Sequence, residues 1–243
     1  MSLRTDYDTW HSRYHDLDPE YDDTSAPWYQ WVARSIGSVE GLRTLEVACG
    51  RGGFVRRLAH SSALSLGLDF SFAAVSIGKQ RWEKRDSGTP AGFTQGDAHA
   101  LPFPDGLFDV VVTCETIEHL PEPLRGVREF YRVTRPGGML FLTTPNYLNF
   151  MGLYEIYAKF RHPGKLPDQP FDRIQVFFQT RRLLKKAGWK IVRSDGTVHQ
   201  FPFLPGRNPV RIHWPEAFPA IRKSLSIFAF TYCLVAQKPS VIR

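Results

Sequence analysis

The segment from Leu42 to Phe54 constrains this chain more than any other. Leu42-Arg43-Thr44-Leu45-Glu46-Val47-Ala48 reads as a buried strand, and it runs straight into Cys49-Gly50-Arg51-Gly52-Gly53. Glycine tolerates positive φ and lets a ligand come close to the backbone. A strand that breaks into glycines and restarts as a helix leaves unpaired N–H groups at the turn. The helix runs from about Gly53 to His60, and Ala63 to Asp69 reads as the next strand. Asp69 ends that strand about 20 positions beyond the turn, where a dinucleotide-binding unit carries its ribose-binding acid. Ala48, Gly50 and Gly53 take the three glycine positions of that fingerprint, with alanine replacing the first.

The alternation continues. Phe72 to Lys84 is helical by spacing, Gly92 to Gln95 is a short strand, and Phe108 to Cys114 is a β-branched strand that follows Asp105-Gly106. A helix follows from about Pro123, with Leu124, Val127, Tyr131 and Thr134 on one face and Pro136-Gly137-Gly138 as its expected stop. Met139 to Thr144 is a strand, Thr180 to Gly188 a helix, Trp189 to Val192 a strand and Ile227 to Ala236 the last strand. Strands separated by helices predict an α/β domain with a mostly parallel sheet. Residues 145–179 and 196–225 read as irregular, rich in proline and aromatics.

With 243 residues, 42% hydrophobic and 23% charged, the chain suits one such domain rather than a disordered or fibrous protein. No stretch of eighteen uncharged apolar residues occurs, so no membrane-spanning helix is expected. The start, Met1 to Asp6, lacks the apolar core of a secretory signal. Cys49, Cys114 and Cys233 form no close pair. Together these features predict a cytoplasmic protein in a reducing compartment. Basic residues exceed acidic ones by seven. Arg125, Arg128, Arg132 and Arg135 account for part of the excess, as a stripe read here as a solvated helix face, with nucleic-acid binding disfavoured.

Further segments make the pattern specific. The glycine turn, Asp69, Gly96-Asp97-Ala98-His99-Ala100-Leu101-Pro102-Phe103, Phe108-Asp109-Val110-Val111, Glu118-His119-Leu120 and Arg135-Pro136-Gly137-Gly138 follow one another in order. In this the chain resembles the class I S-adenosylmethionine-dependent methyltransferases, in particular the small-molecule branch of the ubiquinone O-methyltransferase type. The resemblance covers roughly residues 40–145. It implies a Rossmann-like, mostly parallel seven-stranded sheet with helices on both faces and an antiparallel last strand. It implies S-adenosyl-L-methionine as cofactor. Glu46, Ala48, Gly50 and Gly52 would line its methionine end, Asp69 would bind the ribose hydroxyls and Phe70 would pack near the adenine. Asp97 would accept from the adenine amino group beside the Ala98 backbone, and the Cys114 backbone would lie near the sulfonium. Two rivals remain at this point: an NAD-dependent oxidoreductase resting on Ala48, Gly50, Gly53 and Asp69, and a non-catalytic cofactor-binding module.

Glu115, Glu118 and His119 stand at offsets of zero, three and four, which put them on one face if the turn is helical. Three readings compete. His119, with an ordinary pKa of ~6.5, is the candidate general base toward a substrate hydroxyl. The trio could instead hold a divalent cation, as the matching pattern does in some ubiquinone O-methyltransferase relatives. The third reading is helix-start acids with a histidine that orients a loop. The first is carried forward, with a small aromatic or apolar acceptor and oxygen as the favoured acceptor atom. Residues 1–40 are read as an N-terminal aromatic segment, most of whose rings pack on the core and which as a whole forms a flap. The two long connections, 145–179 and 196–225, are read as covers over the acceptor. Their candidate pocket rings are Tyr147, Phe150, Tyr154, Tyr157, Phe160, His162, Phe171, Phe177, Phe178, His199, Phe201, Phe203 and His213.

Overall fold

The glycine turn sits near the middle of a seven-stranded sheet in a computed structural model that describes residues 2–17, 23–149, 152–153, 156–157, 170–201, 210–212 and 226–240. The first elements are α1 (Leu3–Leu17), α2 (Pro27–Ser35), β1 (Arg43–Val47), α3 (Gly53–Ala59), β2 (Leu64–Asp69), α4 (Phe72–Arg85) and β3 (Ala91–Gln95). They are followed by β4 (Phe108–Cys114), α5 (Pro123–Val133), β5 (Thr134–Pro145), α6 (Phe177–Lys186), β6 (Lys190–Thr197), β7 (His199–Phe201), β8 (Val210–Ile212) and β9 (Thr231–Gln237). The sheet order is β3-β2-β1-β4-β5-β9-β6. The β3-β2-β1-β4-β5 pairings are parallel, and β9 runs antiparallel to both of its neighbours. The order reverses beside β1, so the crevice above β1 and β4 is the place where an open sheet of this kind takes a ligand.

Side chains alternate across the sheet and feed a core on each face. Val111, Leu140, Leu142 and Leu234 pack with Val127, Phe130 and Val133 of α5 and with Leu184 of α6. Val110, Val112, Phe141 and Val235 point the other way, against Tyr29, Trp31 and Val32 of α2 and Phe54 of α3. Both faces of the central strands are therefore apolar, which explains the unbroken hydrophobic run of β4.

Several boundaries differ from the sequence expectation. α5 ends at Val133, before Pro136-Gly137-Gly138, because a proline disfavours helical backbone at the residue preceding it. The Pro-Gly-Gly turn instead lies inside β5, where the register against β4 shifts between Phe108 and Val110. The buried stripe of α5 is Gly126, Val127, Phe130 and Val133, while Leu124 and Tyr131 are half-buried. The helix expected at 180–188 starts earlier, at Phe177, and β6 runs to Thr197 because it pairs with β9 as far as Thr231. The last strand starts at Thr231, after a 3-10 turn at Ser226–Phe228. Within 196–225, read as loop, His199–Phe201 pairs with Val210–Ile212 as a two-stranded ladder.

Candidate active site

A cavity of 340 Å³ opens over the carboxyl ends of β1, β2 and β4. The turn after β1 forms one wall. Ala48 and Gly50 line it with φ values of 57° and 52°. Asp69 holds this turn together: Oδ2 accepts from the Gly50 N–H at 2.8 Å and Oδ1 from the Ser71 N–H at 2.9 Å. Each carboxylate oxygen keeps a further lone pair that can face the cavity. Ser71 Oγ accepts from the Ala74 N–H and caps α4.

Two residues expected at the cofactor are not among those lining the cavity. Gly52 is the N-cap of α3 and is not among the cavity-lining residues; a Cβ there would stand 2.1 Å from the Phe93 ring, so its missing side chain makes room for β3. Glu46 is buried beneath the turn, and its Oε1 accepts from the Tyr29 hydroxyl at 2.7 Å.

The next wall is the loop after β3. Its Asp97, Ala98 and His99 line the cavity, together with Phe70, which follows β2. Asp97 Oδ1 accepts from the His99 N–H at 2.8 Å and lies 2.7 Å from His99 Nδ1. Burial pushes the Asp97 carboxyl up, but the His99 N–H and ring outweigh it and hold it below the usual range. Asp97 thus builds its own turn as well as facing the cavity. The loop is pinned to α5 by Arg132, whose guanidinium donates to the Leu101 and Phe103 carbonyls, to Asp105 and to both oxygens of Glu129. Arg135 pairs with Asp109, and Arg125 donates to the His99 carbonyl. Of the four arginines read as a solvated stripe, Arg125, Arg128 and Arg135 are exposed, while Arg132 is half-buried and fastens the loop after β3; Arg135 lies beyond the helix and pairs with Asp109 of β4.

The third wall is the segment after β4, with Cys114, Glu115, Thr116 and His119 on the cavity. Only Ile117–His119 is helical, as a single 3-10 turn, and Glu115 adopts φ 48°, a left-handed conformation rare outside glycine. The three residues expected on one helix face therefore do not share one: Glu115 and His119 line the cavity while Glu118 lies behind them. Glu118 turns into the protein at 1% exposure, and its Oε2 accepts from the Thr144 hydroxyl at 3.0 Å. Among the described residues no three His, Cys, Asp or Glu side chains are grouped so that they could hold a metal ion, and the trio Glu115, Glu118 and His119, weighed as a cation site, is not such a group.

His119 Nδ1 lies 2.6 Å from the Phe171 carbonyl. Nδ1–H donates there, which leaves Nε2 as the ring's acceptor nitrogen, 3.7 Å from Glu118 Oε1. Burial lowers the His119 pKa, so the ring is neutral near pH 7. Burial also pushes Glu115 up to about 8 and Glu118 well above the carboxylate range. This wall therefore carries little fixed charge at neutral pH.

The sequence reading took residues 1–40 as a flap but named none of its side chains as part of the site. Leu3, Tyr7, Trp10 and His11 of α1 line the cavity, as do Trp28 and Tyr29 of α2. Their spacing in α1 is that of one helix face, a signal present in the sequence. Asp8 Oδ1 ties α1 to the same corner as Asp69, accepting from Ser71 Oγ at 2.6 Å and from the Ala73 N–H at 3.1 Å. The Tyr7 hydroxyl donates to the Phe171 carbonyl that also receives His119. Trp31, by contrast, is core, with Nε1 donating to Asp195.

Of the aromatic residues expected over the acceptor, Tyr147 is buried, with its hydroxyl donating to Asp172. Phe177 packs on Tyr232, Tyr157 and Phe178 are exposed, and His199 and Phe201 stand in β7. Phe171 reaches the site through its carbonyl. Phe150, Tyr154, Phe160, His162, Phe203 and His213 lie outside the described residues.

The strand order and the glycine turn define the Rossmann-like methyltransferase fold. A methyltransferase from Mesorhizobium loti superposes with a TM-score of 0.64 at 18% identity, over 89% of this chain and 100% of that one. The [4+2]-cyclase SpnF does so at 0.63 and 23% identity, over 91% of this chain and 85% of that one, so the fold alone does not state a reaction. The sequence comparisons go further. A methyltransferase-domain family model matches residues 45–142. A demethylmenaquinone methyltransferase of Geobacillus kaustophilus is 34% identical over 163 residues, 64% of this chain and 69% of that one. One of Renibacterium salmoninarum is 32% identical over 153 residues, 60% of this chain and 62% of that one, so this chain spans less than two thirds of that relative. The chain belongs to the class I S-adenosylmethionine-dependent methyltransferases, and its cofactor is S-adenosylmethionine rather than a nicotinamide. No helix among the described residues is long and apolar enough to cross a membrane.

Proposed function

We propose that this chain methylates a small, uncharged aromatic acceptor of the hydroquinone type, on a hydroxyl oxygen, with His119 as the general base. One observation carries the reading. A single cavity joins the glycine turn and Asp69 to His119, whose Nδ1–H is engaged by Phe171 and whose Nε2 is left to take a proton. The names of the two relatives supply the ring class of the acceptor and not the acceptor atom, which rests on His119 alone. The low fixed charge around Glu115 and His119 suits an uncharged acceptor rather than an amine.

The residues fit the cofactor. Asp69 offers carboxylate lone pairs to the ribose diol while its other contacts hold the turn. Phe70 and Ala98 give an apolar face to the adenine, and Asp97 accepts from its amino group. Ala48 and Gly50 present backbone toward the methionine end, with Gly52 and Glu46 supporting the turn from behind. The Cys114 backbone borders the place of the sulfonium. When bound, the cofactor supplies a methyl group on a good leaving group. The protein's task is then to align acceptor and methyl at about 3–3.5 Å, worth up to about 7–11 kcal/mol by proximity. Residues 1–40 act as a flap, with α1 closing over Asp69 and Phe70. Of the segments 145–179 and 196–225, the described residue that reaches the acceptor side is Phe171, through its carbonyl; residues 158–169, 202–209 and 213–225 lie outside the described residues. Cys49, Cys114 and Cys233 are buried and none is in a disulfide, which suits the cytoplasm.

The test is calorimetry with S-adenosylhomocysteine followed by product analysis with hydroquinone acceptors. His119→Ala should lower turnover by about 10²–10⁴-fold with unchanged S-adenosylhomocysteine affinity. A methyl group found on carbon or nitrogen, made at full rate by His119→Ala, would replace the reading.

A further inference from the structure

The seven excess positive charges are not evenly neutralised. Arg125 and Arg132 of α5 and Arg135 of β5 all have partners. On α6, Phe-Phe-Gln-Thr-Arg-Arg-Leu-Leu-Lys-Lys, there is no acid at all. Among the described residues none of the ion pairs involves Arg182, Lys185 or Lys186, and all three side chains are exposed. Phe178 is 54% exposed on the same helix, and Ile174, just before it, is 48% exposed. At ~100° per residue, Phe178, Arg182, Lys185 and Lys186 fall within an arc of about 100°. Two shallow surface hollows share Arg182 and Lys186; one takes in Phe178 and the other Ile174, so the patch is continuous.

This patch adjoins the active site. The segment leading into α6 meets the cavity wall directly: the Phe171 carbonyl receives His119 and Tyr7, and the Arg173 N–H donates to the Glu118 carbonyl at 3.0 Å. Ile174 follows at once. Large exposed apolar side chains set among unpaired cations match a bilayer interface, where rings enter the acyl boundary and cations meet lipid phosphates. They match RNA less well, since one ring and an isoleucine make no stacking platform.

We infer that the face formed by Ile174, Phe178, Arg182, Lys185 and Lys186 docks the protein on an anionic lipid surface, with the mouth of the active site beside the bilayer. A basic residue near such a surface contributes about 1 kcal/mol, a factor of about 5 in partitioning. Docking on this face leaves the cofactor end of the cavity free.

The experiment is co-sedimentation of the full chain with vesicles of phosphatidylcholine, with and without phosphatidylglycerol. The protein should sediment with the phosphatidylglycerol vesicles only, and less so as salt rises. Arg182→Glu with Lys186→Glu should weaken partitioning by about 30-fold or more, from two lost increments and added repulsion. Phe178→Ser should remove binding that survives at high salt. S-adenosylhomocysteine affinity, measured by calorimetry, should stay at the wild-type value in these variants and reports their folding. The inference is overturned if wild-type protein ignores the anionic vesicles, if the charge-reversed variant binds them equally well, or if the face retains tRNA at physiological salt and no vesicles. The vesicle assay uses no acceptor, so its failure is distinct from a failure of the methyl-transfer reading.

Discussion

Replacing Arg132 by alanine tests how the cofactor loop is held. The guanidinium is 31% exposed and donates to the Phe103 carbonyl at 2.7 Å, the Leu101 carbonyl at 2.9 Å and Glu129 at 2.8 Å. Asp105 also accepts from it, but that carboxylate is 80% exposed and contributes little. Two charge-assisted bonds to carbonyls and one forked bond to Glu129, discounted for partial exposure, sum to about 3 kcal/mol. In a domain of this size that corresponds to a fall in Tm of roughly 10 °C. Arg128 supplies the control, because it lies on the same helix, is exposed and makes no described bond. Arg128→Ala should stay within about 0.5 kcal/mol of wild type. Arg132→Lys keeps the charge and loses the fork, so it should recover less than half of the loss. The loop also carries Asp97 and Ala98, so Arg132→Ala should weaken S-adenosylhomocysteine binding several-fold by calorimetry. If the two alanine variants melt together, the arginines form a solvated stripe after all and the loop is held by something else.

Three more outcomes are expected. Ala48→Gly should raise the urea midpoint by about 1 kcal/mol equivalent, because alanine at φ 57° is strained and glycine is not; a lower midpoint would contradict this. Glu115 is raised from 4.5 to about 8 by burial, so the folded state holds its proton more tightly than the unfolded one. Its stabilising contribution is complete below pH 4.5 and is lost as pH rises through about 8. Wild type should therefore lose about 3 kcal/mol more than Glu115→Gln between pH 5 and pH 8 in denaturation series; equal slopes would refute the assignment. Asp69→Asn should weaken S-adenosylhomocysteine binding by about 10–100-fold, since it removes a charged acceptor from the ribose end; an unchanged Kd would move the ribose elsewhere.

Local patterns carried the central sheet and one wall of the site. The glycine turn, Asp69 and Asp97 are separated by short elements of regular length, so their common edge follows from the alternation itself. The Glu115-Glu118-His119 spacing misled because it presumed a helix. The backbone turns through a left-handed Glu115 and makes only one 3-10 turn, which sends Glu118 inward and leaves His119 on the cavity. Gly52 was read as ligand-facing, yet its space is filled by Phe93 from a strand forty residues on. The arginine stripe looked solvated because the carbonyls that accept from it belong to a loop about 30 residues away in sequence.

The sequence by itself determined the layered α/β plan, the strand that breaks at Gly50, and the place of Asp69 and Asp97 at the edge that carries the cavity, because each rests on periodicity or on contacts within one βαβ unit. Only the tertiary structure decided which aromatics face the cavity, that α1 is tied to Ser71 by Asp8, and that Phe171 orients His119. Those contacts join residues 52 to 63 positions apart, and no local pattern encodes a partner at that distance.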